Sequence, residues 1–239
     1  MKYYKRILIF DVETNGLIPK NKGVAGAGNS LPVEKEENPY ILQLSFIIYD
    51  PKNKQILKTA NHYIRVADDV EISEQITTLT GIDRSTVLEK GVPITHALRD
   101  FYEAYMNCDC IVAHNIYFDR KMMQIEIERN LKIMQNIGCI NSSKVFQKDF
   151  QERHQIDNFC TMNYSRAIVK IERTGKNGET YYKSPKLQEL YHYLFQSIPE
   201  NLHDSMVDTY VCLRCFAKLK LKQDLPSFTH SIPSSIPSC

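Results

Sequence analysis

The chain has 239 residues, of which 43% are hydrophobic and 24% are charged. That length and composition allow one sizeable α/β core and exclude a short, disulfide-held scaffold. Because 30 basic residues are balanced by 28 acidic ones, for a formal net charge of +2, a global basic field is also excluded, and any affinity for nucleic acid must come from local patches.

The first predicted elements in chain order are three strands. Residues 5–10 form an apolar, β-rich segment that is followed by the turn signal Asn15-Gly16. Residues 18–39 are polar and glycine-rich, and they predict a long loop. A second strand is expected at residues 41–49 and a third around residues 62–66. Three strands in succession predict an antiparallel meander at the start of a sheet.

Helical periodicity dominates the middle of the chain. Ser73 predicts the N-cap of a short helix that ends near Gly81. Apolar residues at helical spacing predict another helix over residues 94–106. A short buried strand at residues 110–113 is then followed by a helix predicted over residues 117–131. This alternation of strand and helix indicates an α/β fold.

The C-terminal part is predicted to contain a hairpin, two helices and a tail. Asn177-Gly178 predicts a hairpin between residues 168–173 and 179–183. Pro185 opens a helix that runs through Phe195, and Asp204 caps a last helix that reaches about Leu221. The remaining Ser/Pro-rich segment predicts a disordered tail. We therefore expect one domain over residues 1–222 and a tail over residues 223–239.

Neither a membrane span nor a secretion signal is visible in the sequence. No segment approaches the roughly 20 apolar residues that a span needs, and the N-terminus lacks the apolar core and cleavage site of a signal peptide. The 7 cysteines are odd in number and scattered, which favours reduced thiols. We therefore expect an intracellular protein, in the cytoplasm or the nucleus, that is not secreted and contacts no membrane.

Two closely spaced cysteine pairs leave a zinc site open as one interpretation. Cys108 and Cys110 form a CxC, and Cys212 and Cys215 form a CxxC. No third and fourth ligand stands at the spacing of a zinc finger, so buried apolar cysteines are the favoured interpretation. Thiol catalysis is disfavoured because the second pair lies within the apolar pattern of a predicted helix.

The first candidate site is the fragment Asp11-Val12-Glu13 at the end of the first strand. Side chains two residues apart in a strand point to the same face, so Asp11 and Glu13 project together. Two ionised carboxylates this close repel each other unless a cation lies between them, and Mg²⁺ or Mn²⁺ prefers such oxygen ligands. The alternative is an exposed strand end with two unrelated, solvated acids, since this spacing is common.

The second candidate is the fragment from Ala113 to Asp119, where a buried strand ends and a helix begins. Strand-to-helix junctions of α/β sheets often carry functional groups, which makes Asp119 a third candidate carboxylate. Its alternative role is to complement the dipole of the helix. His114 is interpreted as a core histidine that is hydrogen-bonded to the backbone rather than as a ligand.

The third candidate is the fragment from His203 to Asp208. Residues five apart are about 140° apart around a helix axis, so these two side chains cannot share a helical face. The conflict disappears if His203 lies in a loop and Asp204 is the N-cap of the helix that bears Asp208. His203 can then reach the site to which Asp208 points, and a titratable imidazole beside a bound water can act as a general base.

Together, FDVETNGL, VAHNIYFD and LHDSMVD resemble the three ordered motifs of the DEDDh exonucleases. This is the RNase T-like group that includes the proofreading epsilon subunit of bacterial DNA polymerase III. TTLTGIDRSTVLEKGVPI and YILQLSFIIYD resemble segments of the epsilon-like branch. The resemblance spans about residues 5–220. It implies an RNase H-like α/β fold with a mixed central sheet, antiparallel over its first three strands and then parallel, flanked by helices.

The resemblance also implies a set of catalytic residues. The implied metal ligands are Asp11, Glu13, Asp119 and Asp208, and the implied catalytic histidine is His203. The implied cofactors are two Mg²⁺ or Mn²⁺ ions, with Asp11 shared between them. The implied reaction is metal-dependent hydrolysis at a nucleic-acid 3′ end that releases nucleoside 5′-monophosphates.

Four further residues match positions that contact the substrate in this family: Thr14, Leu17, Asn115 and Phe118. Relatives that use a tyrosine carry it four residues before the last acid, where this chain has Asp204, so the histidine form is implied. Ser205 departs from the pattern, because an alanine is common at that position. The loop at residues 18–39 is longer than in compact relatives and leaves the substrate preference open.

The implied partner is a nucleic acid with a free, single-stranded or frayed 3′ end, and DNA is the favoured substrate. One alternative is an RNA-directed 3′→5′ exoribonuclease, since this fold handles both nucleic acids. Another is an inactive, polymerase-associated binding module. This alternative is disfavoured because an inactive site has no need for five converging catalytic groups. No particular polymerase partner follows from the sequence.

The predicted hairpin region is strongly basic. Residues 166–186 carry 6 basic residues against 2 acidic ones, and Tyr181 and Tyr182 are interleaved with them. Such a segment can clamp a phosphate backbone or offer a stacking platform for bases. An ordinary solvated hairpin is the alternative.

Overall fold

The computed structural model describes residues 3–19, 38–199 and 202–227. The strands are β1 (Ile7–Thr14), β2 (Ile41–Asp50), β3 (Gln55–Tyr63), β4 (Cys110–Ala113), β5 (Asp157–Cys160), β6 (Glu172–Thr174) and β7 (Thr180–Tyr182). The helices are α1 (Glu74–Thr80), α2 (Arg84–Glu89), α3 (Ile94–Met106), α4 (Ile116–Arg129), α5 (Leu131–Asn136), α6 (Lys148–His154), α7 (Thr161–Val169), α8 (Leu187–Phe195) and α9 (Ser205–Phe216). Among these described helices, none has both the length and the apolar character needed to cross a membrane.

The central sheet is mixed and has the strand order β3-β2-β1-β4-β5. β1 pairs antiparallel with β2, and β2 pairs antiparallel with β3. β4 runs parallel to β1, and β5 runs parallel to β4. Parallel strands need long crossover connections, and helices provide them here on the way to β4 and to β5. The predicted mixed sheet, antiparallel first and then parallel, is confirmed.

The central strand β1 packs side chains on both faces of the sheet. Leu8 and Phe10 face the layer that contains α3, where the rings of Phe10 and Phe101 lie 5.1 Å apart. Ile7 and Ile9 face the opposite layer and pack against α9. Because side chains alternate along a strand, the odd-numbered positions of β1 all point towards α9.

Two strands differ in extent from their predictions. β1 continues to Thr14 rather than ending at Phe10, because its ladder with β2 extends through the polar residues. β3 spans Gln55–Tyr63 instead of residues 62–66. The turn before it is tight, since the Asp50 carboxylate accepts hydrogen bonds from the next backbone N–H groups. Strand β3 therefore begins earlier in the chain than the polar residues of this segment suggested.

Several elements were not predicted from the sequence: α2, α5, α6, β5 and α7. α2 begins at the N-cap Asp83, whose side chain accepts a hydrogen bond from the backbone of Thr86. α7 includes Ile168 and Val169, which were predicted to belong to the hairpin, so β6 and β7 keep only three residues each. Both residues are apolar and β-branched, and the packing of α7 overrides that preference for a strand.

Within residues 223–227, where the predicted tail begins, Leu225 packs against the body of the protein. The guanidinium of Arg214 donates a hydrogen bond from Nε to the carbonyl oxygen of Leu225 at 2.7 Å, and Leu225 is buried. The remainder of the predicted tail, residues 228–239, lies outside the described residues. So do residues 20–37 of the predicted loop. The domain boundary at residue 222 stays a prediction.

The cysteines within the described residues are free thiols: Cys108, Cys110, Cys139, Cys160, Cys212 and Cys215. All of these except Cys160 are buried. Burial raises the pKa of Cys108 to about 12, and burial also raises the pKa of Cys212 well above its usual range. Such thiols stay protonated at neutral pH and are poor nucleophiles.

Candidate active site

The end of β1 presents two acids to the same side of the sheet. Asp11 and Glu13 occupy odd-numbered positions and continue the row of side chains that faces α9. In the ladder with β2, Asp11 pairs with Ser45 and Glu13 pairs with Gln43. The predicted projection of both carboxylates in one direction therefore follows from the register of the central strands.

Asp119 reaches the same strand end from the first turn of α4. The parallel ladder between β1 and β4 ends at Ile9 and Val112. Beyond it, the backbone N–H of Val12 donates a hydrogen bond to Oδ1 of Asp119 at 3.3 Å. Asp119 is only 3% exposed, so a third carboxylate is buried directly beside the strand that carries Asp11 and Glu13.

The first turn of α9 carries a fourth acid, Asp208, and the loop before this helix carries His203. Asp204 is the N-cap of α9, and its side chain accepts hydrogen bonds from the backbone N–H groups of Met206 and Val207 at 2.9 and 3.2 Å. His203 therefore precedes the helix, and its backbone adopts a left-handed conformation with φ of 74°. The predicted loop position of His203 and the predicted N-cap at Asp204 are both confirmed.

One side-chain cluster has the spacing of a cation site. Single ligand atoms of Glu13, His203 and Asp208 all lie within 4.8 Å of one another. Oδ1 of Asp208 is buried and has no hydrogen-bond partner within the part of the chain that the structure describes. A buried carboxylate oxygen without a partner is destabilising unless a ligand satisfies it. This cluster could therefore hold a metal ion.

Burial and mutual repulsion raise the pKa values of the carboxyl groups at this site. Burial, followed by the charges of Asp119 and Asp208, raises the pKa of Asp11 well above its usual range. Burial and the same charges raise the pKa of Glu13 to about 8. Burial raises the pKa of Asp119 to about 8 and that of Asp208 to about 7. These groups can ionise together at neutral pH only if a positive charge compensates them.

The four predicted substrate contacts lie in two places near the acids. The hydroxyl of Thr14 is held by the carbonyl oxygen of Gly16 at 2.7 Å, whereas Leu17 is 83% exposed. Asn115 is the exposed N-cap of α4, with a φ of 70°, and Phe118 packs partly against the core. Leu17 and Asn115 are therefore accessible to a ligand, while Thr14 holds the turn that presents Leu17.

A buried polar network beside the acids was not predicted from the sequence. The side chain of Gln43 accepts a hydrogen bond from the N–H of Ser205 at 3.2 Å and donates one to Oδ1 of Asn61 at 2.9 Å. The hydroxyl of Ser45 lies 2.6 Å from that of Ser205. The network fastens the start of α9, and the loop bearing His203, to the sheet. Its sequence signal is a glutamine and a serine at alternate positions of an otherwise apolar strand.

His114 is engaged with neighbouring groups rather than with the acids. Its Nδ1 lies 2.9 Å from the hydroxyl of Thr161, and its Nε2 lies 3.1 Å from the carbonyl oxygen of Pro185. Burial lowers the pKa of His114 to about 4, so the ring is neutral. The interpretation of His114 as a core histidine bonded to the backbone is confirmed. The contact also ties the end of β4 to the segment before α8.

Comparison with protein families gives one match that covers most of the chain. A model of the RNase_T family, described as an exonuclease, matches residues 8–216. The matched range includes the three sequence fragments and every acid of the cluster. Comparison with curated proteins gives no match.

Solved structures of exonuclease I are similar to this chain. Escherichia coli exonuclease I in complex with a dT13 oligonucleotide has a TM-score of 0.61 and 16% identity, over 91% of this chain and 42% of that one. Exonuclease I from Methylocaldum szegediense has a TM-score of 0.62 and 15% identity, over 91% and 41%. The zinc-bound form of the E. coli enzyme with single-stranded DNA has a TM-score of 0.61 and 17% identity, over 91% and 42%. The chain therefore spans less than half the length of these proteins, and the likeness shows the predicted RNase H-like α/β fold.

Proposed function

Because the chain belongs to the RNase_T exonuclease family, we propose that it is a divalent-cation-dependent 3′→5′ exonuclease that releases nucleoside 5′-monophosphates. One observation carries this proposal. Oδ1 of Asp208 is buried without a partner among the described residues, beside Glu13 and His203. A cation would satisfy that oxygen and allow the surrounding carboxylates to ionise.

The donor set fits a hard divalent cation such as Mg²⁺ or Mn²⁺. The groups that would hold it are the carboxylates Asp11, Glu13, Asp119 and Asp208, and carboxylate oxygens are the ligands these ions prefer. The proposal includes the predicted pair of ions, with Asp11 among the residues that would hold them. When bound, the cations would activate a water molecule and stabilise charge on the departing oxygen.

His203 is the proposed general base. It is exposed in the loop before α9, and a ring nitrogen lies within 4.8 Å of carboxylate oxygens of Glu13 and Asp208. As the attacking water forms a bond to phosphorus, His203 accepts one of its protons. The bond from phosphorus to the 3′ oxygen of the preceding nucleotide then breaks, and that oxygen is protonated from solvent. Asp204 and the network at Gln43 keep the histidine loop in place.

The terminal nucleotide is proposed to contact Thr14, Leu17, Asn115 and Phe118. Leu17 and Asn115 are both exposed, so an apolar contact and a polar contact are available to a nucleotide. Assignment to the DEDDh group and its epsilon-like branch is likewise proposed, on the three motifs and on the stretch from Thr77 to Ile94.

The proposed substrate is single-stranded DNA or a frayed DNA 3′ end. The proposal extends to this chain a substrate class found in its structural neighbours, since the E. coli protein is in complex with dT13. Chromatography of the products from matched DNA and RNA oligonucleotides tests it. Deoxynucleoside 5′-monophosphates released faster than ribonucleotides, and only with Mg²⁺ or Mn²⁺, are expected. Release of 3′-monophosphates would contradict the mechanism, and faster release from RNA would reverse the substrate assignment.

A further inference from the structure

The segment of residues 166–186 concentrates positive charge. Its 6 basic and 2 acidic residues give a formal excess of four positive charges, against +2 for the whole chain. The rest of the chain is therefore formally acidic. A strand of nucleic acid that approaches four carboxylates needs basic groups elsewhere along its path, because phosphate neutralisation supplies most of its binding free energy.

Within this segment, β6 and β7 form a two-stranded hairpin that is exposed on both faces. Gly178 supplies the positive φ, 81°, of the connecting turn. Arg173 pairs in register with Tyr181, so these two side chains lie side by side on one face. Tyr181 is 54% exposed. The hairpin therefore presents an aromatic ring and a guanidinium together to solvent.

The base of the hairpin lies close to the junction of β4 and α4, and α4 carries Asp119. The N–H of Lys183 donates to the carbonyl oxygen of Ile171 at 2.9 Å and closes the hairpin. Pro185, two residues later, contacts His114 through its carbonyl oxygen at 3.1 Å. Two residues of chain span at most about 7 Å, so the base lies within that distance of Pro185. His114 directly precedes Asn115, the N-cap of the helix that carries Asp119.

The orientation of the hairpin base is also fixed by an ion pair. Nζ of Lys183 lies 2.5 and 2.7 Å from the two carboxylate oxygens of Glu189 in α8. This pair is largely shielded, with 21% and 33% of the two side chains exposed. The base of the hairpin is thus anchored to α8, while Arg173, Lys176 and Tyr181 lie in the part of the hairpin beyond this base.

We propose that this hairpin binds the single-stranded nucleic acid on the 5′ side of the scissile bond. Arg173 and Lys176 neutralise phosphates of the incoming strand, and Tyr181 stacks on a base. The inference rests on the proposed exonuclease function. It adds a binding surface outside the four carboxylates. It predicts that changes in the hairpin weaken the binding of long substrates and leave the hydrolysis of a substrate without a 5′ strand unchanged.

The test compares two double variants with the same change in net charge. R173E/K176E alters the hairpin, and K52E/K54E alters the exposed turn between β2 and β3. Tyr49 pairs with Ile7, so this turn lies at the end of β1 remote from Glu13. Fluorescence anisotropy with an oligo(dT) of about 15 nucleotides in EDTA, over a salt series, measures binding without turnover. We expect R173E/K176E to lower the affinity at least about tenfold and to reduce the salt slope by about 1.4, that is about 0.7 per lost phosphate contact.

Y181S is expected to weaken the same complex by about 5- to 160-fold, the range of one lost base stack. Hydrolysis of thymidine 5′-(p-nitrophenyl) phosphate with Mn²⁺ measures the carboxylate site alone, and all three variants are expected to retain the wild-type kcat and KM. Equal affinities and salt slopes for R173E/K176E and K52E/K54E would overturn the hairpin inference. Failure of the wild-type protein to hydrolyse either substrate would instead overturn the exonuclease proposal, because binding is measured separately.

Discussion

The backbone N–H of His203 donates a hydrogen bond to Oδ2 of Asp208 at 3.2 Å. This bond spans the start of α9 and joins the loop histidine to the last acid of the cluster. It uses one oxygen of Asp208 and leaves the buried Oδ1 without a partner among the described residues. The proposed base and the proposed metal ligand are therefore positioned by each other.

Replacement of His203 tests its role as general base. Alanine is a poor choice, because the φ of 74° is a left-handed conformation that asparagine tolerates better. We expect His203→Asn to lower kcat by about 10²- to 10⁴-fold, the usual contribution of a general base, while Mn²⁺ affinity changes little. Single-turnover kinetics and metal titration measure the two effects. A variant with wild-type turnover would remove His203 from the mechanism.

The carboxylate cluster predicts how the stability of the metal-free protein depends on pH. Folding raises the pKa of Glu13 to about 8 and that of Asp208 to about 7. Between about pH 4 and 8 the folded state then binds more protons than the unfolded state, so stability falls as pH rises. We expect the Tm in EDTA to be lower at pH 8 than at pH 5.5, measured by calorimetry.

A saturating cation should reverse this loss at pH 8. Mg²⁺ or Mn²⁺ at about 100 times its Kd should raise the Tm by about 5–10 °C for a chain of this size. Asp208→Asn should raise the Tm in EDTA and reduce the response to cation. Asp149→Asn, at an exposed position of α6, is the matched control and should change neither. A cluster variant that responds to cation as the wild type does would contradict the assignment of these ligands.

The buried network predicts that Gln43 positions the histidine loop. Gln43→Met keeps the volume of the side chain but removes its hydrogen bonds to Ser205 and Asn61. We expect kcat to fall about 10- to 100-fold, since a displacement of about 1 Å can have that effect, with KM little changed. Ile47→Val, a conservative change in the same buried strand, should cost about 0.5–1.5 kcal/mol of stability and leave kcat unaltered.

A double variant separates positioning from a general loss of structure. If Gln43 acts through His203, Gln43→Met should slow His203→Asn no further. Multiplicative losses in the double variant would show that Gln43 acts independently of the histidine.

The sequence predicted the parts of this fold that depend on local patterns. Caps at Ser73 and Asp204 and the apolar rhythm of residues 94–106 are short-range signals, and each of these predictions is confirmed. The register that brings Asp11 beside Ser45 depends on contacts between distant segments, and no local pattern contains it. β5 was not predicted for a related reason, since its four residues carry no alternation and gain a strand conformation from pairing with β4.

The candidate site likewise combines residues that local patterns predict with residues whose role depends on contacts between distant segments. Asp119 and Asp208 could be named from motifs, because each lies in the first turn of a helix that follows a strand end or a cap. The role of Gln43 could not be named, because a glutamine in a strand acquires a function only when Ser205 is brought against it. The unpartnered oxygen of Asp208 likewise arises from packing, and no residue pattern reveals it.

Shortening of a 5′-labelled single-stranded DNA with time tests the central claim most directly. With Mg²⁺ or Mn²⁺, wild-type protein and the control Asp149→Asn should produce a ladder that shortens from the 3′ end one nucleotide at a time. EDTA or Asp11→Asn should abolish it, because the proposed mechanism requires both the cation and the carboxylate of Asp11. A DNA that stays intact with the wild-type protein, or a ladder that persists in EDTA and with Asp11→Asn, would contradict the account.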